Sequence, residues 1–336
     1  MLDQESMQKR YEQFLSEYLA RRDEKNLYNG QKISRKMIEQ HISPEEVVST
    51  HVDVLTKLYP EMSDDLHASF DFLLEVMMGY GFAYREHQSL RNWQQQLESE
   101  IEIASDVQQS LLVNDMPDVE GLEMGVISRP AKQMSGDYYH FVRDGQNSIS
   151  VAVADIIGKG IPAAMCMSMI KYSMDSVSEQ RMEPTAMLES LNRVVEHNVD
   201  SSMFITMFYG VYNSIKHRFY YASAGHEPGF YYSSMDQQFY EMEARGLVLG
   251  ATRDTKYVEY RQDLNKNDMI ILLSDGVTEC RTESGFIEQE KILDMIRSRI
   301  DERPQEIVER VYEELERLQD FELRDDFTLI IMKRDV

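Results

Sequence analysis

Four short acidic motifs lie beside apolar segments whose composition is typical of β-strands. They are Ser135-Gly136-Asp137-Tyr138, Ala154-Asp155 with the following Gly158-Lys159-Gly160, Ser274-Asp275-Gly276, and Arg324-Asp325-Asp326. Carboxylates that converge without a cation raise each other's pKa, which disfavours their charged forms. A hard divalent cation such as Mg²⁺ or Mn²⁺ offsets that repulsion, because such cations prefer oxygen ligands. The joint occurrence of the motifs favours a metal site, whereas any single Asp-Gly pair is more typical of an ordinary turn.

The glycine-rich part of the chain, from about residue 119 onward, must position these carboxylates. Its β-branched, aromatic and aliphatic runs predict strands. The predicted strands are 122–128, 150–154, 204–212, 218–222, 269–274 and 327–332, and the predicted helices are 162–176, 184–198, 289–300 and 304–318. Neighbouring strands of this kind favour antiparallel pairing, and the paired helices favour two stacked sheets with helices outside. Ser135 to Tyr138 are expected in a turn between strands.

The glycine-poor part before residue 119 predicts helices. The segment 8–26 carries one apolar stripe at spacings of three and four residues, and Ser43-Pro44 is typical of a helix start. We expect a small helical bundle over residues 1–84. Residues 85–113 contain neither Gly nor Pro, and Leu90, Leu97, Ala104 and Leu111 recur every seven residues. This pattern predicts a linker helix over 85–118 with a coiled-coil seam, although a helix packed on its own domain would fit it too.

Composition excludes several classes of protein. The 336 residues include 35 Lys and Arg against 59 Asp and Glu, which gives a net charge of −24. Such a chain is a poor binder of nucleic acid and of anionic membrane surfaces. The two cysteines are isolated, the N-terminal segment is polar, and no stretch approaches the ~18 apolar residues of a membrane span. We therefore expect a cytoplasmic protein.

Five motifs together resemble those of the PPM (PP2C-like) serine/threonine phosphatases, in the bacterial branch that acts in sporulation and stress responses. They are Ser135 to Tyr139, Asp155 with Gly158 to Gly160, Ala224 to Pro228, Ser274 to Glu279, and Asp325 to Thr328. The resemblance covers residues 120–336 specifically and extends to the helical region and the linker. It implies an α+β protein with a helical domain over 1–84, a linker helix over 85–118, and an αββα phosphatase sandwich over 119–336.

The resemblance also implies a metal centre with two Mn²⁺ or Mg²⁺ ions. Asp155 would bridge the ions, and the backbone carbonyl of Ile156 would be a further ligand. Asp275 and Asp325 would complete the shell of one ion, and Asp137 would lie near the second, while Asp326 is left outside the ligand set. The family hydrolyses phosphomonoesters with a metal-activated water, and the arginine and histidine that animal members add have no counterpart near Asp137.

The implied substrate is a phosphorylated STAS-domain anti-anti-sigma factor (RsbV-like). A kinase-fold coactivator (RsbT-like) would bind the N-terminal domain, and a homodimer would form through that domain and the linker. The protein would then be a positive regulator of the general stress sigma factor, sigma-B. The alternative is a non-catalytic pseudophosphatase scaffold in a partner-switching pathway. A phosphodiesterase acting on nucleic acid is disfavoured by the acidic surface and by the order of the motifs.

Two further side chains with reactive groups have structural interpretations. His226 lies in a glycine-containing loop, where a turn histidine is more typical than a catalytic acid. Cys166 lies among methionines on a predicted helix, and a core position is more typical there than a nucleophile, which needs a base and a polar setting. Because this helix follows the Asp155 loop, a shift of it would move a predicted metal ligand.

Overall fold

The fold is described from a computed structural model. It describes residues 2–40, 42–112, 116–144, 148–156, 161–177, 183–199, 203–282, 285–319, 321 and 323–335. The chain divides into two compact units, Met1–Glu98 and Ser99–Val336. None of the helices within the described ranges is both long and apolar enough to span a bilayer.

The first unit is built from helices. Helix α1 spans Leu2–Ala20, α2 spans Glu24–Glu39, α3 spans Pro44–Leu58, and α4 begins at Asp64. The segment 8–26, predicted as one helix, is therefore divided, because Asp23 accepts a hydrogen bond from the Asn26 N–H (2.8 Å) and caps a new helix. The predicted start at Ser43 is present as a capping box with Glu46. A small buried cluster of Met7, Ile33 and Met37 holds the helices together.

Helix α4 spans Asp64–Leu112, which is 49 residues. The predicted boundary between residues 84 and 85 thus lies inside a continuous helix. Gly79 and Gly81 lie within this helix. Isolated glycines lower the stability of a helix but do not end it. Leu90 and Leu97 of the seven-residue pattern are exposed, so the coiled-coil seam stays a prediction.

The second unit contains two five-stranded antiparallel sheets. One has the order β1-β12-β9-β6-β7 and the other β2-β3-β4-β5-β8. The bounds are β1 Leu122–Arg129, β2 Asp137–Asp144, β3 Ser148–Ile156, β4 Ile205–Asn213, β5 Arg218–Ala224, β6 Gly229–Ser233, β7 Gln238–Met242, β8 Tyr260–Asp263, β9 Met269–Leu273 and β12 Phe327–Arg334. A small hairpin pairs β10 Arg281–Thr282 with β11 Gly285–Phe286.

Helices cover the outer faces of both sheets. Helices α5 (Ile161–Val177) and α6 (Pro184–Asn198) pack on the sheet that contains β3, while α8 (Gln289–Arg297) and α9 (Pro304–Leu318) cover the other. A third buried cluster fills the space between the sheets, with Val151 and Phe208 from one and Ile270 and Ile330 from the other. The α+β class and the two antiparallel sheets flanked by helices are confirmed.

The predicted elements of this unit are present, with differences at their ends and some omissions. The segment expected as a turn at Ser135 to Tyr138 instead enters β2 at Asp137. Strands β2, β6, β7 and β8 and the short β10–β11 hairpin were not among the predicted strands. Strands β7 and β8 are short and largely solvent-exposed, and the β6–β7 pair turns through Gln237 at a positive φ of 56° rather than through a glycine.

Candidate metal centre

Two predicted ligands lie opposite each other at one end of the β2–β3 pair. Asp137 is the first residue of β2, and the antiparallel register places it directly opposite Asp155 on β3. Asp155 in turn lies opposite Thr206 on β4. Side chains of directly opposed residues lie close together on one face of a sheet. Strand pairing therefore brings two carboxylates into proximity at an edge of this sheet.

The other sheet contributes acidic residues at the ends of two neighbouring strands. Strand β9 ends at Leu273, and Asp275 opens the short helix α7 (Asp275–Thr278). Asp325 lies just before β12, which pairs with β9. The junction is held by Ser274, whose N–H donates to the Thr328 carbonyl and whose Oγ accepts from the Thr328 N–H, each at 3.0 Å. The C-terminal end of β9 and the N-terminal end of β12 thus lie side by side at the same end of the sheet.

Carboxyl groups associated with the two sheets influence each other's pKa. Burial, followed by the negative charges of Asp155 and Asp325, raises the pKa of Asp275 to about 6. Burial likewise raises the pKa of Asp137 well above its usual value, with further contributions from the negative charges of Asp155 and of Asp326, which directly precedes β12. Negative charge on the β3 side therefore disfavours ionisation of Asp275, which follows β9. Negative charge just before β12 disfavours ionisation of Asp137 on β2.

Burial is graded across the site. Asp137 is 2% exposed, Asp155 and Asp275 are half-buried, and Asp325 is exposed. Asp137 Oδ2 is buried and has no hydrogen-bond partner in the described part of the chain. A buried, unpartnered carboxylate oxygen is costly unless a cation or a donor reaches it. The site thus contains the buried carboxyl group of Asp137 and the exposed carboxylate of Asp325, which a ligand from solvent can reach.

Gly136 leaves space where several oxygens converge. A Cβ at this position would lie 3.2 Å from Asp155 Oδ1, 3.3 Å from the Ile156 carbonyl oxygen and 3.4 Å from Asp326 Oδ2. The predicted carbonyl ligand and a predicted carboxylate ligand therefore border the same small space. An all-oxygen donor set of this kind fits a hard divalent cation such as Mn²⁺ or Mg²⁺.

The described residues do not form a preformed set of metal ligands. Within the ranges described above, no three His, Cys, Asp or Glu side chains are grouped closely enough to hold a metal ion. The ligand roles of Asp137, Asp155, Ile156, Asp275 and Asp325 stay predictions. Residues 157–160, which include the Gly158-Lys159-Gly160 motif, lie outside the described residues.

Asp326 has a defined position that the sequence motif alone did not reveal. Its Oδ1 accepts a hydrogen bond from the Ala131 N–H at 2.8 Å, and its Oδ2 accepts one from the Gly136 N–H at 2.5 Å. One carboxylate thereby holds both ends of the loop that leads into Asp137. The partners lie almost 200 residues away in sequence, so no local pattern indicated them.

The other reactive side chains have structural surroundings. His226 Nδ1 is 2.9 Å from Thr206 Oγ1, and burial lowers the pKa of His226 to about 4. The imidazole is therefore neutral near pH 7, so it is not the protonated imidazolium that would act as a general acid. Cys166 is buried, and burial raises the pKa of its thiol, which disfavours the thiolate that a nucleophile requires.

Comparison with known proteins gives the family. Residues 145–335 match the model of the Stage II sporulation protein E (SpoIIE) family, and residues 9–83 match that of the phosphoserine phosphatase RsbU N-terminal domain. Over 332 residues the chain is 58% identical to the phosphoserine phosphatase RsbU of Bacillus subtilis, covering 99% of both proteins.

Solved structures share the fold of the second unit. The SiaA-PP2C domain of Pseudomonas aeruginosa superposes with a TM-score of 0.61 at 17% identity, covering 72% of this chain and 98% of that domain. The catalytic domain of the serine/threonine phosphatase PstP, solved with two manganese ions, gives a TM-score of 0.50 at 12% identity and covers 64% of this chain and 99% of that one. The chain belongs to the PP2C-like phosphatases with a SpoIIE-type domain.

Proposed function

We propose that this protein removes phosphate from a phosphoserine of an RsbV-like STAS-domain anti-anti-sigma factor and thereby acts as a positive regulator of sigma-B. The observation that carries the proposal is the meeting of acidic residues from two sheets around Gly136 in a chain so similar to a phosphoserine phosphatase. A phosphate dianion would be repelled by these carboxylates alone, so the activity requires bound cations.

The predicted ligands would hold two Mn²⁺ or Mg²⁺ ions. These ligands are the carboxylates of Asp137, Asp155, Asp275 and Asp325 and the backbone carbonyl of Ile156. Bound ions of this type neutralise carboxylates and acidify a water molecule enough to make it a nucleophile near neutral pH. The two manganese ions of PstP, which shares the fold, support this number.

The chain's own residues supply charge and position rather than a nucleophile. Asp326 holds the loop before Asp137 through two backbone N–H groups, which fixes the buried carboxylate relative to Asp155. Burial raises the pKa of both thiols and leaves His226 neutral, so the described residues near the site offer no activated side-chain nucleophile. Exposed Asp325 marks the side from which a phosphoserine peptide would approach.

The test is turnover of a serine-phosphorylated STAS-domain protein with Mn²⁺, comparing the parent with Asp155→Asn. Loss of a ligand should lower kcat/KM by more than the ~10–100-fold typical of residues that only support ligands. Asp301→Asn, a change of the same chemistry at an exposed position, should leave turnover unchanged. Undiminished activity of Asp155→Asn would refute the assignment, and a parent without turnover would favour the pseudophosphatase alternative.

We also propose that an RsbT-like kinase-fold coactivator binds the N-terminal domain and activates the enzyme. The match of residues 9–83 to an RsbU N-terminal domain supports this step. Adding the coactivator to the full chain should raise turnover and lower the Mn²⁺ concentration needed for half-maximal activity. Equal turnover and equal Mn²⁺ dependence with and without it would contradict the proposal.

The proposed homodimer would use the exposed apolar residues of α4. Leu90 is 57% exposed and Trp93 is 62% exposed, and both lie on the seven-residue pattern or one turn from it. Sedimentation should show a dimer that Leu90→Lys weakens and that Gln95→Lys, at a neighbouring exposed position, leaves intact. A monomeric parent at micromolar concentration, or a dimer unaffected by Leu90→Lys, would exclude this interface.

A further inference from the structure

Gln108 near the end of α4 forms a pair of hydrogen bonds with the backbone of one residue. Its Nε2 donates to the Ser135 carbonyl oxygen at 2.6 Å, and its Oε1 accepts from the Ser135 N–H at 2.9 Å. The side chain is 1% exposed. One amide thus satisfies both polar groups of a buried peptide segment, and leaving such groups unpaired is costly.

Ser135 begins the short turn that leads into Asp137. Its Oγ accepts a hydrogen bond from the Asp137 N–H at 3.1 Å, and the intervening Gly136 is held by Asp326. Gln108 therefore holds the turn on one side and Asp326 holds it on the other. The turn is only three residues long, so the contacts of Ser135 lie within two residues of the buried carboxylate of Asp137.

The side-chain amide of Gln108 also contacts α5, the helix that follows the predicted ligands Asp155 and Ile156. Gln108 Nε2 lies 3.2 Å from the sulfur of Met167, which is fully buried on α5. One turn earlier on α4, the buried Ser105 donates its hydroxyl to the Gln133 carbonyl. The last turns of α4 thus contact both the loop before Asp137 and the helix that follows the Asp155 strand.

We propose that Gln108 is a positioning residue whose paired hydrogen bonds hold the Ser135–Asp137 turn and thereby support the cation affinity of the site. The consequence for turnover depends on the proposed function, whereas the effect on the turn itself does not. Loss of the paired hydrogen bonds would release Ser135 and loosen the turn that leads into Asp137. This effect is local, because it depends only on the last turns of α4, the Gln108 amide and the backbone of Ser135.

The experiment compares Gln108→Met with Gln109→Met. Methionine preserves the length of glutamine but removes both hydrogen bonds, and Gln109 is an exposed neighbour on the same helix. In metal-free protein, hydrogen–deuterium exchange at residues 131–138 should rise at least about tenfold in Gln108→Met only. The Mn²⁺ concentration for half-maximal turnover should rise about tenfold, with kcat at saturating Mn²⁺ within about twofold of the parent.

Three outcomes would overturn the inference. The first is parent-like exchange and Mn²⁺ dependence in Gln108→Met. The second is raised exchange throughout the second unit, including β5, because this would show a general stabilising role. The third is a fall in kcat that saturating Mn²⁺ does not restore.

A second variant covers poor folding of the first. Gln108→Glu keeps the acceptor for the Ser135 N–H and loses the donor, so it should raise exchange at residues 131–138 in the same direction; unchanged exchange there would overturn the inference. A parent without phosphatase activity would refute the proposed function, while the metal-free exchange data would still decide the role of Gln108.

Discussion

Asp137 and Asp155 are direct cross-strand partners at the end of the β2–β3 pair. Two carboxylates in this relationship repel each other, and the fold places one of them in a buried position with an unpartnered oxygen. Such a pair is unfavourable for stability, and a bound cation removes the repulsion. The relationship between these two residues is therefore the structural reason to expect cation dependence.

The contribution of Asp275 to the stability of the metal-free protein should fall as the pH rises from about 4 to about 6. The pKa of Asp275 is raised from 3.8 to about 6 by burial and by Asp155 and Asp325. At this carboxyl group the folded state binds more protons than the unfolded chain within this range, so its contribution to the free energy of unfolding falls with increasing pH. Buried His226, whose pKa is lowered to about 4, contributes the opposite slope. Urea unfolding in EDTA at several pH values measures the slope. Asp275→Asn should shift this slope to more positive values, and an unchanged slope in that variant would contradict the prediction.

Mn²⁺ should bind more weakly below pH 6. A proton and a cation compete for the Asp275 carboxylate, whose pKa is about 6, so each pH unit below that value should lower the apparent affinity by up to about tenfold. Above that pH this contribution should disappear. Calorimetric titration of the full chain with Mn²⁺ between pH 5 and pH 7.5 tests this, and an affinity that does not vary below pH 6 would count against Asp275 as a ligand.

Gly276→Ala should destabilise the second unit and lower activity. A Cβ at this position would overlap the backbone carbonyl oxygen of Asp326, which cannot rotate away as a side chain can. Overpacking of this kind typically costs about 1–3 kcal/mol. Thermal unfolding followed by circular dichroism measures the loss. Gly30→Ala is the control, since nothing lies within 4 Å of a Cβ there and a helical alanine is favoured by roughly 0.5–1 kcal/mol. Equal stability of Gly276→Ala and the parent would contradict the packing argument.

His226→Asn should preserve the shape of the pH–rate profile between pH 6 and pH 9. The asparagine amide can keep a hydrogen bond to Thr206, and the histidine it replaces is neutral in this range because burial lowers its pKa to about 4. A general acid typically contributes ~10²–10⁴-fold to the rate, so we expect a loss below about tenfold. A hundredfold loss of kcat together with the disappearance of one limb of the profile would identify His226 as an acid instead.

Alkylation with iodoacetamide at neutral pH should leave activity unchanged. Cys166 and Cys280 are both buried, and burial raises the pKa of the Cys280 thiol to about 11. The reactive thiolate is therefore scarce and inaccessible in the folded protein. Counting modified thiols by mass spectrometry, with and without denaturant, checks this expectation. Rapid inactivation that accompanies modification of one cysteine would disprove it.

Elements whose signals are local could be predicted from the amino-acid sequence. The cap at Ser43, the helices after Pro184 and Pro304, and the buried strands that end near Asp155 and Asp275 follow from spacings of a few residues. The acidic motifs and their order along the chain also indicated the family and a metal centre. These features depend on backbone geometry and side-chain type within one or two turns, so they are readable without knowing the partners.

Which of these residues meet depends on the packing of segments that are distant in the sequence. The register of β2 and β3 places Asp137 opposite Asp155, and Gln108 and Asp326 each hold the turn before Asp137 from distant parts of the chain. Helix α4 also runs through the boundary expected at residue 84. No spacing in the sequence encodes such contacts, because they arise when segments far apart along the chain pack against each other and satisfy their buried polar groups.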